Sequence, residues 1–393
     1  MEFNMQLFAD PTSQSYTYTA EGSVEDMVNI ITNIDPESNY LLGKINEGEP
    51  ATDLTVNWLS DALRPPQDNK HLEKVDFTSV EAAARKRHTN NCQHFMNSVF
   101  VTDAQEKRKK YVVDSEIGYQ SDKMFLEHSA DIEYAIMKSA QTSIGDASNP
   151  GVMGGVQYFL DRCKLTVTAA TDTEILTSGS AHNYQTGEFV TFYSTGTLPT
   201  GLVADEMYYV HVLSATTFTV HPTLEDAIRN TNVVNITAAG SGTHYVCLDN
   251  IVDCGNAAYT EDDINQAMQY AWYRGGKPTE AILSGRNKRR FSGFTAGTQK
   301  TRSQKEKELT EVVNTYNSDF GNLDLTAHRL QSNTRIDIFD WQYWELRWFD
   351  RTHEIEPAKK GTYEERVIES WLTLVNRAPL ANAACVNVKS VRS

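Results

Sequence analysis

The sequence lacks any run of about 18 apolar residues, the length that a membrane-spanning helix requires. Its start, Met1–Asp10, also lacks the basic patch and following apolar stretch that mark a secretory signal peptide. We therefore expect no membrane segment, and we expect the protein to stay in the cytosol in which it is made.

Positive charge is also scarce. Lys and Arg number 36 against 52 Asp and Glu, so the formal net charge is −16 and the sequence pI is near 5.1. A dedicated nucleic-acid binder relies on cations that neutralise phosphates, and this balance argues against that class. Hydrophobic residues make up 40% and charged residues 22%, which is ordinary for a folded globular protein.

Cysteine is rare, and the odd count in a reducing compartment favours free thiols over disulfides. Cys247 and Cys254 flank Asp249 and Asp253, which allows a disulfide or half of a zinc site. The spacing matches no established ligand pattern, so free, buried thiols are predicted there. The five cysteines are Cys92, Cys163, Cys247, Cys254 and Cys385.

A second group of possible metal ligands is His88, Cys92 and His94. If this segment is extended, alternate side chains share one face of the strand, and these three would lie on the same side. No fourth ligand is indicated. We interpret them as polar side chains of a hairpin and predict no metal.

Catalytic signatures are missing as well. The sequence has no nucleophile elbow, no zinc-protease motif and no paired-carboxylate pattern. The glycine-containing segment 151–155 is followed by neither Lys-Ser nor Lys-Thr, and a helix rather than a strand precedes it, so it is not a phosphate loop. No catalytic residue, no cofactor and no enzymatic activity are predicted.

Apolar periodicity predicts several helices. One is Val24–Ile31, a second runs from Ile117 to Ile144, and a short one covers Val152–Leu160. Another begins after Thr260, where Asp263 occupies the N3 position of a capping box, and ends at the glycine-rich segment 275–278.

Alternating residues between Leu54 and Trp58 predict a half-buried strand, and Phe95–Val101 predicts another. Because a polar, charged segment separates these two strands, we expect them to form a long hairpin. An isolated hairpin is marginally stable in water, so this one needs packing against something else, such as another subunit.

The composition changes between Thr166 and His244, where Arg229 is the single basic residue. Short strands are predicted at Phe189–Tyr193, Tyr208–Leu213 and Thr217–Val220. This segment is predicted to be a small β domain inserted into a larger fold.

The last fifth of the chain has a characteristic layout of aromatic and polar strings. Tyr316–Gly321 and a strand-like Leu323–Leu330 precede Arg335–Asp340, an aromatic cluster and an apolar run at Val367–Val375. In order and spacing these strings resemble the major capsid proteins of tailed phages, in the SU10-like branch of the HK97-type fold. Matching strings also occur around Trp58, in 126–133, 150–155, 272–278, 340–347, 358–361 and at Asn376.

This resemblance implies an α+β HK97-like capsid fold with an extra β module similar to one in many phage structural proteins. The module is expected to face outward as a decoration. Ala378–Leu380 departs from the more polar segment usual in the family. The implied divisions are an N-terminal arm 1–43, an extended hairpin 44–116, a spine helix and peripheral domain 117–162, the inserted β domain 163–250, an axial domain 251–308, and returning strands 309–393.

The implied function is self-assembly, through hexamers and pentamers, into an icosahedral head that encloses double-stranded DNA without sequence specificity. The expected partners are further copies of the chain, a scaffolding protein and a portal, with a cement protein as a further candidate and no membrane. The start of the sequence has no long charged helix, which favours a separate scaffolding protein. A tail or receptor-binding protein is the alternative; a glycosidase with an accessory β domain would need a catalytic constellation.

Two further clusters depend on this hypothesis. Trp341, Trp344 and Trp348 are spaced as if on one side of a helix or turn, which allows a sugar-binding platform but favours core or interface packing.

The polar segment 286–307 is predicted to be a loop. It carries a basic stretch that would pair with acidic surface on a neighbouring subunit, contact DNA, or remain solvated. The basic residues are Arg286, Lys288, Arg289, Arg290, Lys300, Arg302, Lys305 and Lys307.

Overall fold

The computed structural model of the protein describes residues 39–61, 70, 73–74, 85–109, 113–160, 164–171, 173–182, 184–204, 206–247, 250–294 and 315–389. The predicted helix Val24–Ile31, most of the predicted arm, Cys163 and the basic residues from Lys300 to Lys307 lie outside these ranges.

The helices within the described ranges are numbered in chain order. They are α1 Tyr40–Lys44, α2 Asp103–Lys107, α3 Glu116–Lys138, α4 Val156–Leu160, α5 Leu224–Arg229, α6 Glu261–Tyr273 and α7 Gly285–Ser292. No helix in the described part of the chain combines the length and apolarity needed to cross a membrane.

The strands of the same ranges form three larger sheets and one two-stranded ribbon. They are β1 Asn46–Glu47, β2 Thr55–Ser60, β3 Lys86–Asn91, β4 Gln93–Thr102, β5 Lys164–Ala169, β6 Leu176–Ser178, β7 Phe189–Ser194, β8 Tyr208–Val212, β9 Thr217–His221, β10 His244–Cys247, β11 Ile251–Asp253, β12 Glu280–Leu283, β13 Thr315–Ser318, β14 Gly321–Ala327, β15 Ile336–Phe339, β16 Trp344–Ile355, β17 Tyr363–Asn376 and β18 Ala383–Val386.

The long helix α3 begins where the side chain of Ser115 accepts a hydrogen bond from Gly118 N at 3.2 Å. Met124, Ile132 and Ile136 are buried along one stripe, as the sequence predicted. The predicted end at Ile144 is wrong, because the helix stops at Lys138 and the chain turns back on itself. Ser139 O accepts from Gly155 N at 3.0 Å, which fixes this return.

The first sheet has the order β1-β16-β17-β4, with antiparallel pairing of β16 with β17 and of β17 with β4. The predicted hairpin partner was wrong. The strand β2 pairs with the polar β3, with Thr55 opposite Asn91, whereas Phe95–Val101 lies in β4 opposite β17. The segment between β2 and β3 still connects two paired strands. It contains fewer residues than the predicted connection between β2 and Phe95–Val101.

The second sheet has the order β11-β18-β15-β12-β14-β13, and α6 and α7 pack against it. The capping box at Thr260 and Asp263 is present, and α6 ends before Gly275, whose φ of +82° suits glycine. The segment 286–307 was predicted to be a loop, and this prediction was wrong for residues 286–292, which lie in α7. Ser284 caps α7 by accepting from Asn287 N, and the buried Phe291 anchors the helix.

The strands from β5 to β10 close a barrel in the order β10-β5-β6-β9-β8-β7. The three short strands predicted in this segment are present as β7, β8 and β9. The first and last strands are neighbours, with Lys164 opposite Cys247, so the chain enters and leaves the barrel at one place. The barrel has its own apolar interior, centred on Val190, Phe218 and Val220.

The core beside the first sheet contains two of the three tryptophans singled out in the sequence. Trp344 is fully buried and Trp341 nearly so, while Trp348 is partly buried against the same cluster. Core packing is therefore confirmed for this cluster. The prediction that all three share one side of a helix or turn is wrong, because only Trp341 lies in a short 3-10 turn, Trp341–Tyr343, and the other two lie on β16.

Candidate assembly surface

The two faces of β4 and β17 differ in what covers them. On one face, Phe95 and its register partner Ser370 are buried under α3, where His128 hydrogen-bonds to Ser370 Oγ at 2.8 Å. On the opposite face, Met96 is 61% exposed and Phe100 is 67% exposed. We call this exposed side of β4, β17 and β16 the outer sheet face.

Aromatic side chains cluster on the outer sheet face. Phe100 packs edge-on against Tyr363, with ring centroids 5.9 Å apart, and the half-exposed Phe349 packs edge-on against Trp371 at 6.4 Å. Exposed apolar side chains that form a group rather than standing singly mark sites of protein contact. The outer sheet face thus has the character of a surface that another protein covers.

Helix α1 is fixed to the body by a buried carboxylate. Glu133, fully buried on α3, accepts hydrogen bonds from Leu41 N at 2.7 Å and Leu42 N at 2.8 Å. The first amide groups of a helix have no partner within it, and here the carboxylate supplies one for α1. His328 Nε2 lies 3.0 Å from the same carboxylate, which ties α1 to the chain after β14.

A second buried carboxylate, Glu280 on β12, holds the same segment. Its oxygens accept from Thr326 Oγ1 at 2.5 Å and Trp341 Nε1 at 2.8 Å, and also from the Tyr40 hydroxyl, while Lys44 Nζ lies 3.3 Å away. Burial opposes ionisation, but these hydrogen bonds and the lysine charge outweigh it and lower the pKa of Glu280. Two buried carboxyl groups therefore hold residues 40–44 against the body.

Neither carboxylate was recognised as important from the sequence. Glu133 lies in the periodic apolar pattern of α3, between Ile132 and Ala135. A carboxyl group on a buried face requires hydrogen-bond partners, so its position in the stripe was the available signal.

The predicted grouping of His88, Cys92 and His94 is not present. His88 stacks on Trp58 with centroids 5.8 Å apart and hydrogen-bonds to Ser60 Oγ at 2.7 Å. The buried Cys92 lies between strands, and His94 stacks on Trp371 at 4.3 Å. The two imidazoles thus lie on different sheets, His88 in the ribbon of β2 and β3 and His94 in the first sheet.

The cysteines near the end of the barrel are free thiols. Cys247 is buried as predicted, but Cys254 is only half-buried, so that part of the prediction was wrong. A hydrogen bond with Cys254 and burial raise the pKa of the Cys385 thiol well above its usual value. Asp253 accepts from Asn387 Nδ2 at 2.9 Å, and Asp249 lies outside the described residues.

The basic residues of α7 contact the subunit's own backbone. Lys288 Nζ donates to Leu325 O at 2.6 Å, and Arg290 Nε donates to Tyr259 O at 3.0 Å. Burial lowers the pKa of Lys288. These two cations therefore help to attach α7 to the second sheet. Whether the basic stretch also pairs with a neighbouring subunit remains a prediction.

Two solved structures of similar fold come from phages. One chain of the cyanophage A-1(L) capsid asymmetric unit is 10% identical, covers 95% of this chain and 98% of its own, and has a TM-score of 0.54. A structure of Mycobacterium phage Adephagia is 8% identical, covers 97% and 99%, and has a TM-score of 0.50. A search of curated proteins finds no significant match.

The fold is thus the HK97-like α+β fold of phage capsid proteins, a class whose members tile a closed shell. The family model of the SU10 major capsid protein matches residues 10–389, nearly the whole chain. This protein belongs to that family: it is a major capsid protein of a tailed phage and a structural component of the virion. The alternative of a tail or receptor-binding protein is not favoured.

Proposed function

We propose that copies of this chain assemble through hexamers and pentamers into an icosahedral head around double-stranded DNA, without any enzymatic activity of their own. The observation that carries the assembly mechanism is the outer sheet face, where Met96 and Phe100 are largely exposed beside other aromatic rings. An isolated subunit would leave this surface in water, whereas a neighbouring subunit would bury it.

The anchored arm supports the same mechanism. Because Glu133 and Glu280 fix residues 40–44 to the body, whatever precedes them starts from a defined point. An arm that begins at a fixed point can reach the same place on each neighbour. Contacts that are weak singly add up in a closed shell with symmetry.

The proposed divisions of the chain are the arm 1–43, extended hairpin 44–116, spine helix and peripheral domain 117–162, inserted domain 163–250, axial domain 251–308 and returning strands 309–393. The barrel within 163–250 would project outward, away from the contacts between tiles. Its exposed Val203 and Leu213 would then face solvent or a cement protein.

Further proposed partners are a scaffolding protein, a portal at one vertex and the packaged genome, with assembly in the host cytoplasm and no membrane contact. A net charge of −16 does not favour tight binding of phosphates. A mildly repulsive inner wall would let DNA slide during packaging, so the genome would be held by enclosure rather than by sequence-specific contacts.

Electron microscopy of the purified protein, alone and with its phage's scaffolding protein, tests this proposal. The wild type should form hexamers, tubes or closed shells. The double variant Met96→Ser, Phe100→Ser should remain folded but assemble much less, because it removes apolar area from the outer sheet face. Val203→Ser, which changes an equally exposed apolar residue on the barrel, should assemble as the wild type does.

A wild type that stays monomeric under all these conditions would contradict self-assembly. If the double variant forms shells as readily as the wild type, the outer sheet face is not the contact surface. Circular dichroism of each variant separates lost assembly from lost folding.

A further inference from the structure

A cluster of metal-ligand side chains lies on the outer sheet face, and no motif of the sequence indicated it. Asp350 and His353 on β16 and Glu369 on β17 each place one donor atom within 4.8 Å of the other two. Among the described residues, this is the one grouping of three or more His, Cys, Asp or Glu side chains close enough to hold a single metal ion.

Irregular pairing of β16 brings these residues together. Asp350 and His353 are three residues apart, so a regular strand would place them on opposite faces. The register shifts between Asp350, which lies opposite Trp371, and His353, which lies opposite Glu369. The extra residue on β16 turns both side chains toward Glu369. Bulges of this kind redirect side chains and recur beside functional sites.

The imidazole of His353 is oriented for ligation. Its Nδ1 lies 2.9 Å from Arg351 O, and this backbone oxygen can only accept, so the proton resides on Nδ1. Nε2 is then the nitrogen left for a metal ion, and it lies 3.5 Å from Glu369 Oε1, while Asp350 Oδ1 lies 3.8 Å from Nδ1. A backbone carbonyl that fixes the tautomer in this way is the usual support for a histidine that binds metal.

Glu369 is held by a second histidine. His94 Nε2 on β4 lies 3.3 Å from Glu369 Oε2, and the imidazole stacks on Trp371 with centroids 4.3 Å apart and planes 10° from parallel. The stacked ring limits how His94 can turn, and His94 in turn limits Glu369. This carboxylate is therefore positioned by a neighbouring strand, as carboxylates of metal sites commonly are.

We propose that Asp350, His353 and Glu369 bind a divalent transition-metal ion, with His94 as a positioning residue. In a tetrahedral zinc site with bonds of about 2.0–2.1 Å, donor atoms lie about 3.3 Å apart. The observed 3.5 Å between His353 Nε2 and Glu369 Oε1 matches that separation. One nitrogen and two carboxylates suit zinc or manganese and leave at least one position for water.

The site spans two strands that pair irregularly at this point. The bulge interrupts the backbone hydrogen bonds between β16 and β17. A bound ion would link the two strands through their side chains at this point and would fix the end of β16 to β17. The side chains are partly exposed, 47% for Asp350, 43% for His353 and 24% for Glu369, so an ion can enter from solvent. This inference concerns the single subunit and does not depend on assembly.

The test uses the full-length protein without an affinity tag, kept unassembled, and titrates it with zinc chloride by calorimetry. The wild type should bind one zinc ion per chain. Glu369→Gln and His353→Gln should each weaken binding at least tenfold, since each removes a ligand. The matched control is Glu365→Gln. It changes a carboxylate on the same strand and the same face, four residues before Glu369, and it should bind zinc as the wild type does.

A second readout locates the ion. Copper(II) quenches nearby indoles, so it should reduce the fluorescence of the wild type more than that of Trp371→Phe, whose other tryptophans are unchanged. Absence of zinc binding by the wild type overturns the proposal. So does equal zinc affinity of the wild type, Glu369→Gln and Glu365→Gln, because the ion would then bind elsewhere. Circular dichroism checks that the substituted surface residues leave the fold intact.

Discussion

The guanidinium of Arg274 lies 3.7 Å above the ring of Phe189, and its Nη2 donates a hydrogen bond to the carbonyl oxygen of that residue at 2.5 Å. Arg274 follows the last turn of α6, and Phe189 is the first residue of β7 in the barrel. This side chain thus adds a cation–π contact and a hydrogen bond to the packing that joins the barrel to the body of the tile, where Phe189 also contacts Tyr270.

Arg274→Ala should loosen the barrel without unfolding the body. We expect a loss of about 2 kcal/mol in the stability of the attachment, since both contacts disappear. Hydrogen exchange followed by mass spectrometry should show faster exchange around β7 and β10. Arg229→Ala is the control, because Arg229 forms an exposed pair with Glu225 on α5, and such pairs contribute little. Equal exchange in both variants would contradict the assigned role.

Glu133→Gln should loosen the attachment of α1 to α3. The amide keeps the shape of the side chain but replaces one acceptor oxygen with a donor that faces the amides of α1. We expect a loss of about 2 kcal/mol or more in the free energy of unfolding. Exchange of the Leu41 and Leu42 amides should accelerate. Glu127→Gln, on the exposed side of the same helix and paired with Lys123, should change neither quantity noticeably.

Acidification should destabilise the subunit through His128. Burial lowers the pKa of this imidazole below its ordinary value of 6.5, so the folded state resists the proton that the unfolded state accepts. Nearby, Asp131 favours the charged form and His94 disfavours it. The unfolding free energy should therefore fall as the pH drops below about 6.5. Urea denaturation at pH 7.5 and pH 5.5 measures this fall.

His128→Gln supplies the comparison for that experiment. It keeps a polar side chain near Asn97 and Ser370 but cannot titrate in this range. The variant should lose less stability between the two pH values than the wild type does. An unchanged pH dependence would assign the effect to other groups, of which His182 and His221 also have pKa values lowered by burial.

The thiol of Cys92 should be unreactive in the folded protein. Burial, and to a lesser degree the charge of Asp53, raise its pKa to about 11. At pH 8 only about one thiol in a thousand is then ionised, and the thiolate is the reactive form. Labelling with iodoacetamide, followed by peptide mass spectrometry, should be at least a hundredfold slower in buffer than in denaturant. Comparable rates would show that Cys92 is exposed.

Periodicity predicted the start and the buried stripe of α3 because both depend on neighbouring residues. The end of the helix depends on a contact with Gly155, sixteen residues after Ser139 in the chain, and no local signal marks it. The helix α7 was missed because its sequence is mostly polar and charged and contains a single buried apolar side chain, Phe291. A polar N-cap at Ser284 was the one local signal for it.

Pairing partners were harder to predict than strands. The strand β3 contains Arg87, His88, Thr89 and Asn90, which lack the apolar alternation of a typical strand, and it forms because β2 supplies its partner. The site at Asp350 and Glu369 requires both a bulge and a pairing between distant segments. Neither can be inferred from spacing along one chain.

The meeting of the barrel's two ends has a consequence for how this protein changes over evolution. Strands β5 and β10 are paired neighbours, so the entry and exit of the segment lie only about 5 Å apart. A lineage can lose, gain or replace such a segment by recombination, because a short turn closes the same gap. The same junction accepts a foreign domain whose termini are adjacent, which makes it a rational point for displaying peptides or enzymes on an engineered particle.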